Sequence, residues 1–439
     1  MGETKSGRPR VVVIGAGFGG LAVVQALRGK PVDVTVVDRT NHHLFQPLLY
    51  QVAMAGLSPA DIASPIRGVL SEQENVQVLL AEVQGIHLAT KKLTTTAGEV
   101  PFDTLIVAAG ARNEYFGHAD WAERAKGLKT LDDALDIRRR VLLAFEKTEE
   151  RHITGTPEER ARPPGADLTF VVIGGGPTGV ELAGAIAELA RFALARDFRA
   201  IDPKAARVVL IEGGTRVLAS FPQRLSDRGA AQLGELGVEL RTGWRVQHID
   251  ERGVELTRES VTERIDAAIV LWGAGVSASP LGALLASEVA SEVASGDVVL
   301  DRQGRVPVLP DCSLKGHPDV FVIGDMALFL QDGVPLPGLS PVALQQGRFV
   351  ARTIGRRMKG LAPETFRYVD KGTMATIGRS RAVAWSGPLQ VSGFLAWLMW
   401  LFVHLWFLIT FRNRVAVLLT WFWSYVTYKR GARLITERS

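Results

Sequence analysis

The sequence predicts an α/β fold: two Rossmann-like dinucleotide-binding domains, then an apolar helical membrane-anchoring region at the C-terminal end. Three observations predict it. A G-x-G-x-x-G fingerprint occurs twice, each time directly after a strand-like run, and an acidic residue closes the next strand in both places. Thirty consecutive residues, 382–411, contain no Asp, Glu, Lys or Arg.

The stretch VVIGGGPTGVELAG, from Val171 to Gly184, organises the rest. Between a short buried strand and a helix start, Gly174 allows a tight turn, Gly176 lets a pyrophosphate approach the backbone, and Gly179 lets helix and strand pack closely. The helix N-terminus then presents unpaired N–H groups to phosphates. About 160 residues earlier, VVVIGAGFGGL repeats the pattern with Gly15, Gly17 and Gly20, Phe18 and Gly19 completing the turn and helix start. Two such sites in one chain suggest that one holds a flavin and the other a nicotinamide.

Length and composition narrow the field. At 439 residues the chain has room for two or three domains. A net charge of +5 without a lysine/arginine tract argues against nucleic acid. A single cysteine, Cys312, excludes an internal disulfide, a Cys-rich metal site, an iron–sulfur cluster and chemistry that needs a redox-active cysteine pair. No signal peptide is visible, and the opening MGETKS matches a myristoylation pattern too short to outweigh a plain polar start.

In chain order, the first nucleotide unit ends at Asp38, eighteen residues after Gly20, where a carboxylate accepts hydrogen bonds from ribose hydroxyls; Arg39 follows it. Residues 42–59 read as a packed apolar loop containing Gln46, and His42 and His43 as loop residues, since no other ligand type stands at metal spacing. The strand before Ala108–Ala111 ends in small residues, so Ala109 and Gly110 let backbone lie close to a nucleotide. Residues 131–151 read as a charged helix and 154–164 as an exposed linker. In the second nucleotide unit Glu212 closes the second strand and repels a 2′-phosphate, favouring NADH over NADPH, although Arg216 stands nearby. Gly275 ends another strand, IVLWGAG. The doubled SEVA within 285–296 reads as a low-complexity surface insertion. The chain then returns to the first domain. VFVIGD ends in Asp325, an acceptor for a flavin's ribityl chain, and Ser340-Pro341 reads as N-cap and first position of a helix carrying Gln345 and Gln346. The positive end of that helix, turned to an isoalloxazine, would stabilise a reduced flavin.

At the C-terminal end, eighteen helical residues at 394–411 reach ~27 Å, marginal against a ~30 Å hydrocarbon core. A second apolar segment, 415–428, is too short to cross. A single crossing would put Arg412, Arg414, Lys429, Arg430 and Arg433 opposite the cytoplasmic domain, against the positive-inside rule. Thr420, Ser424 and Thr427 form a polar stripe, and five tryptophans suit the headgroup boundary. Helices lying in one leaflet, with basic side chains toward anionic lipid, fit best. A single transmembrane helix near 394–411 is the second reading, and packing in a core or a homodimer interface the third.

FQPLLYQVA (Phe45–Ala53), ARNEYFGHADW (Ala111–Trp121), GGGPTGVELAG, VLWGAGVSASPL, VFVIGD, PVALQQG and FRYVDKGTMATIG (Phe366–Gly378) together resemble the bacterial type II, non-proton-pumping NADH:quinone oxidoreductases. The resemblance covers nearly the whole chain; the SEVA insertion departs from it between motifs. It implies a glutathione-reductase-like fold, non-covalent FAD, NADH as donor and a membrane quinone as acceptor, on the cytoplasmic face of a bacterial inner membrane; the residues themselves offer no metal site. It implies that Gly15, Gly17, Gly20, Asp38 and Asp325 hold FAD, and that Gly174, Gly176, Gly179 and Glu212 hold NADH. It also makes Glu181 the catalytic-site glutamate and Gln345 and Gln346 the quinone-site glutamines, with Lys371 near the flavin edge. The expected division is a FAD-binding domain with linker at 9–165, an NADH-binding domain at 166–300, the returning FAD and quinone region at 301–388, and membrane-associating helices at 389–439. Two rivals stand beside this reading. One is a flavin-dependent reductase of a soluble acceptor such as ferredoxin or rubredoxin, and the other a non-enzymatic NADH-responsive membrane adaptor.

Overall fold

Apolar runs such as Val11–Ile14 and Phe170–Ile173 are buried on both faces, the condition that makes parallel strands read as continuous hydrophobic stretches. The computed structural model describes residues 7–291, 298–427 and 431–435. MGETKS, Lys429, Arg430 and most of the second SEVA lie outside the described residues. The chain forms two compact units, each built from separated segments. The first comprises residues 1–43, 64–112 and 276–370, and the second residues 44–63, 113–275 and 371–439.

The first unit is built on a six-stranded sheet in the order Ser313–Leu314, His317–Val322, Thr104–Val107, Arg10–Ile14, Asp33–Asp38, Val76–Leu80. All neighbours are parallel except the first pair, with Val13 opposite Val36 and Ile106 opposite Val13 at the centre. Helix Phe18–Ala26 packs against helix Ser340–Arg357, and a Cβ on Gly347 would stand 2.4 Å from the Gly19 carbonyl oxygen. Only glycine permits that approach. The SEVA region corrects the surface-insertion reading. Its first copy belongs to helix Leu281–Ser291, whose Leu285 and Val289, one turn apart, are wholly buried in the sheet's core. The helix at Ser340 also starts differently from expectation. Leu339 occupies the N-cap position without a side-chain cap, and Ser340 is already helical.

The second unit carries a five-stranded parallel sheet, Ala125–Gly127, Ile269–Trp272, Thr169–Ile173, Arg207–Glu212, Val238–Thr242. Two three-stranded antiparallel sheets accompany it, one of them Thr373–Gly378, Arg381–Ser386 and Leu389–Ser392. The charged helix Leu131–Thr154 begins with a capping box in which Thr130 accepts the Asp133 N–H and Asp133 accepts the Thr130 N–H. Within the expected apolar loop, residues Leu49–Ala53 form a helix whose Leu49, Tyr50, Val52 and Ala53 are buried. Helix Pro177–Glu188 runs into a π-turn, Leu189–Ala193, which lengthens the path to Glu212. The C-terminal helices are Phe394–Phe407 and Phe411–Thr427. Among the described residues no helix is long and apolar enough to cross a membrane.

Candidate functional site

Each unit contains one strand–turn–helix cradle, and the same three constraints shape both. In the first unit Gly15 has φ +93°, and a Cβ there would lie 2.6 Å from the Ala108 carbonyl oxygen. A Cβ on Gly20 would overlap the Gly15 carbonyl oxygen, whereas nothing lies within 4 Å of one on Gly17. In the second unit Gly174 has φ +105°, a Cβ on Gly179 would overlap the Gly174 carbonyl oxygen, and Gly176 again faces open space. The outer glycines are therefore fixed by packing. The middle one, at the helix N-cap in both cradles, leaves room at the helix N-terminus of the size a pyrophosphate needs.

Around the first cradle, Asp38 Oδ2 accepts the Ala16 N–H at 2.6 Å and Oδ1 accepts the Thr40 N–H at 2.7 Å. Arg39 beside it is exposed. Ala109 and Gly110, the latter at φ +68°, follow strand Thr104–Val107 in the same unit. Asp325 sits in the short turn Gly324–Met326, and buried Gln346 holds that turn, its Oε1 accepting the Gly324 N–H at 2.8 Å. Gln345 grips the chain differently. Its amide donates to the Val369 carbonyl at 2.9 Å and accepts the Val369 N–H at 3.0 Å, as a neighbouring strand would. His43, read from the sequence as a loop residue, lies in the short strand His42–Leu44. It is buried, its Nδ1 bonds the Ala16 carbonyl at 2.7 Å, its ring meets Phe18 edge-on, and burial lowers its pKa, so it braces the turn as a neutral imidazole.

In the second cradle Glu212 repeats the role of Asp38, accepting the Gly175 and Gly214 N–H groups, both at 2.6 Å. Arg216 is turned onto the Phe221 and Ala219 carbonyls, so its guanidinium is committed to backbone oxygens. Gly275, at φ +69°, leaves no room for a side chain against Phe116 and Glu114. Gln46 opens the turn Gln46–Leu48, and Lys371 is exposed just before strand Thr373–Gly378.

The cradle helix Pro177–Glu188 also forms one wall of a cavity of about 130 Å³ within the second unit. Gly184 makes this possible, since a Cβ there would lie 1.8 Å from the Ile377 carbonyl oxygen; without one, the helix rests directly on strand Thr373–Gly378. Glu181 thereby reaches the cavity wall and takes a backbone hydrogen bond from Thr376. Removal from water pushes its carboxyl up to about 8, with the Thr376 bond pulling the other way. Two turns further on, Glu188 accepts the Arg379 N–H. Tyr50 and Gln51 line a second side, and Trp397, Trp400 and Trp421 from the C-terminal helices a third. Trp421 Nε1 donates to Gln51 Oε1 at 2.7 Å, and Gln51 Nε2 donates to the Tyr50 hydroxyl at 2.9 Å.

These C-terminal helices are amphipathic in the reverse sense to a soluble protein's. Ala396, Trp400 and Val417 are buried, Thr420 and Ser424 are partly covered, and Leu395, Phe402, Phe411, Phe422 and Val426 are each more than 60% exposed. The polar stripe thus faces protein and the apolar residues face out. His404 Nδ1 bonds the Trp400 carbonyl at 2.7 Å, and burial lowers its pKa to about 4, keeping it neutral in this apolar setting. Cys312 is buried in the other unit and its thiol pKa is raised.

Comparison with known proteins agrees with this architecture. The sequence profile of the family described as pyridine nucleotide-disulphide oxidoreductase matches residues 9–347. The type II NADH:quinone oxidoreductase Ndh of Mycobacterium tuberculosis is 46% identical, over 98% of this chain and 91% of that protein. NdhA of the same organism, with the same description, is 44% identical over 98% and 90%. Among solved structures, NDH2 from Plasmodium falciparum in complex with NADH superimposes with a TM-score of 0.84 at 18% identity, covering 98% of this chain and all of that one, a likeness of fold. The chain belongs to the pyridine nucleotide-disulphide oxidoreductase family and, within it, to the type II NADH:quinone oxidoreductases.

Proposed function

We propose that the chain oxidises NADH and reduces a membrane quinone through FAD held non-covalently by its first unit, working as a monotopic enzyme on the cytoplasmic face of the membrane. The observation that carries this reading is the double use of helix Pro177–Glu188. Its first turn closes a nucleotide cradle, and its second presents Glu181 to an apolar cavity walled by the C-terminal helices.

The first cradle fits FAD. The open space at Gly17 admits a pyrophosphate, Asp38 stands at the ribose position, and Gln346 fixes the turn that offers Asp325. Bound FAD supplies the two-electron relay between donor and acceptor. The second cradle fits NADH. Glu212 suits a free 2′-hydroxyl, and Arg216, occupied by backbone carbonyls, offers no cation to a 2′-phosphate. In the cavity Glu181 holds a proton at neutral pH, the protonation state that donates to a carbonyl oxygen. Gln345 steadies the segment leading to Lys371, which we assign to the flavin edge.

The apolar outer face of the C-terminal helices supports attachment to lipid, with Trp406 and the exposed Arg412 at the headgroup level. A quinone tail then remains in the bilayer while its ring enters the cavity. The test is direct. Under anaerobic conditions NADH bleaches the bound flavin, a short-chain quinone restores its absorbance, and NADPH bleaches it far more slowly. Restoration only by a ferredoxin or rubredoxin would overturn the reading in favour of a soluble acceptor.

A further inference from the structure

One of the tryptophans that line the cavity in the second unit has a buried ring N–H that meets no acceptor among the described residues. Trp400 forms part of the wall and is 2% exposed, yet its Nε1–H has no hydrogen-bond partner among the described residues. Leaving a buried donor unmatched is destabilising, and such a group in a native fold needs an explanation. The neighbouring indole, Trp421, shows the ordinary outcome, its Nε1–H being taken up by Gln51.

The Trp400 ring is also held in place. It stacks on His404 at 4.3 Å and 28°, lies tilted against Trp421 at 5.5 Å, and its own carbonyl accepts from His404 Nδ1. His404, neutral through burial, adds no charge that would compete for a ligand. The donor is therefore fixed before any ligand arrives, so little ordering entropy is lost when a bond forms.

Chemistry narrows the missing partner. An indole N–H only donates, so the ligand must bring an acceptor. The cavity wall includes Trp397, Leu401 and Ile377, which suits a flat, uncharged ring bearing a carbonyl oxygen. Glu181, holding a proton, lines the same cavity, so a ring with two carbonyls finds a second donor there.

Resting on the quinone-reductase reading above, we propose that Trp400 is a quinone-positioning residue whose indole N–H donates to one carbonyl oxygen of the bound ring, a second donor beside Glu181. Its stacking partners fix the direction of that bond and hence the ring's orientation.

The experiment compares wild type with Trp400→Phe, which keeps an aromatic ring and removes only the N–H. The KM for a short-chain quinone should rise about tenfold, with kcat changed much less, the size expected for one hydrogen bond to a carbonyl. A second measurement needs no variant. In ultraviolet resonance Raman spectra of the flavin-loaded wild type, the indole band sensitive to N–H hydrogen bonding should shift when quinone is added. The shift should be absent from Trp400→Phe. An unchanged KM together with an unshifted band would overturn the role of Trp400 while leaving quinone reduction intact. A wild type whose NADH-reduced flavin no quinone reoxidises would instead overturn the underlying reading.

Discussion

Glu212 Oε2 accepts the Gly175 N–H at 2.6 Å, tying the acidic end of one strand to the glycine turn of the strand beside it. The same carboxylate that we propose selects the ribose therefore also shapes the glycine turn. Glu212→Ala removes this bond, the bond to Gly214 and the charge at once. Bonds to a charged acceptor are worth roughly 1.5–3 kcal/mol, so the NADH KM should rise at least tenfold. NADPH, relieved of repulsion, should lose less, narrowing the ratio of the two kcat/KM values. Equal losses for both coenzymes would leave Glu212 as a turn brace only.

Glu181 makes stability and turnover depend on pH. Its carboxyl sits near 8 when folded against an ordinary 4.5, so the folded chain binds the proton more tightly than the unfolded one. That contribution is greatest below about pH 4.5, declines as pH rises to about 8, and is flat beyond. Glu181→Gln has no ionisation to impose the decline, so its Tm relative to wild type should be higher at pH 9 than at pH 5. Quinone turnover by wild type should fall above about pH 8, and the variant should lack that limb. Parallel Tm profiles for the two proteins would refute the assignment.

Gly184 sets how closely the cradle helix approaches strand Thr373–Gly378. Gly184→Ala forces the two apart and should cost about 1–3 kcal/mol, the usual penalty of overpacking. Because Glu181 sits one turn away, quinone turnover should fall more than flavin reduction by NADH does. Stopped-flow traces of the two half-reactions on one preparation separate these effects.

Truncation after Ser392 keeps the strand Leu389–Ser392 and removes both C-terminal helices. The two cradles remain. Bound flavin and its reduction by NADH should survive, and ferricyanide should still accept electrons. Flotation with anionic vesicles and reduction of long-tailed quinones should be lost. Full long-tailed quinone activity in the truncated chain would separate the helices from substrate entry.

What was legible in the sequence had local causes. A glycine that must take positive φ, or that lies 1.8 Å from a carbonyl if given a Cβ, cannot be anything else, so Gly15, Gly20, Gly174 and Gly179 announce their turns by identity and spacing alone. The cavity has no such signal. Gln51 and Trp421, bonded to each other, stand 370 residues apart, and only the completed fold reveals them as neighbours. The bracing role of His43 was hidden for a similar reason, since its partner is a backbone carbonyl at Ala16, which carries no side-chain code. In the SEVA segment the spacing of Leu285 and Val289 was visible, but the repetition of small residues around them drew attention from a buried helical face.

The order in which the cavity's walls lie along the chain bears on its biogenesis. Tyr50 and Gln51 are translated early, the Glu181 helix next, and Trp400 and Trp421 only after both nucleotide cradles are complete. A nascent chain can thus complete its cradles before the helices bearing the outward-facing Phe402 and Phe422 emerge from the ribosome. On the monotopic reading proposed above, cofactor loading and delivery to lipid become separate events in time, and the cavity is finished in the second.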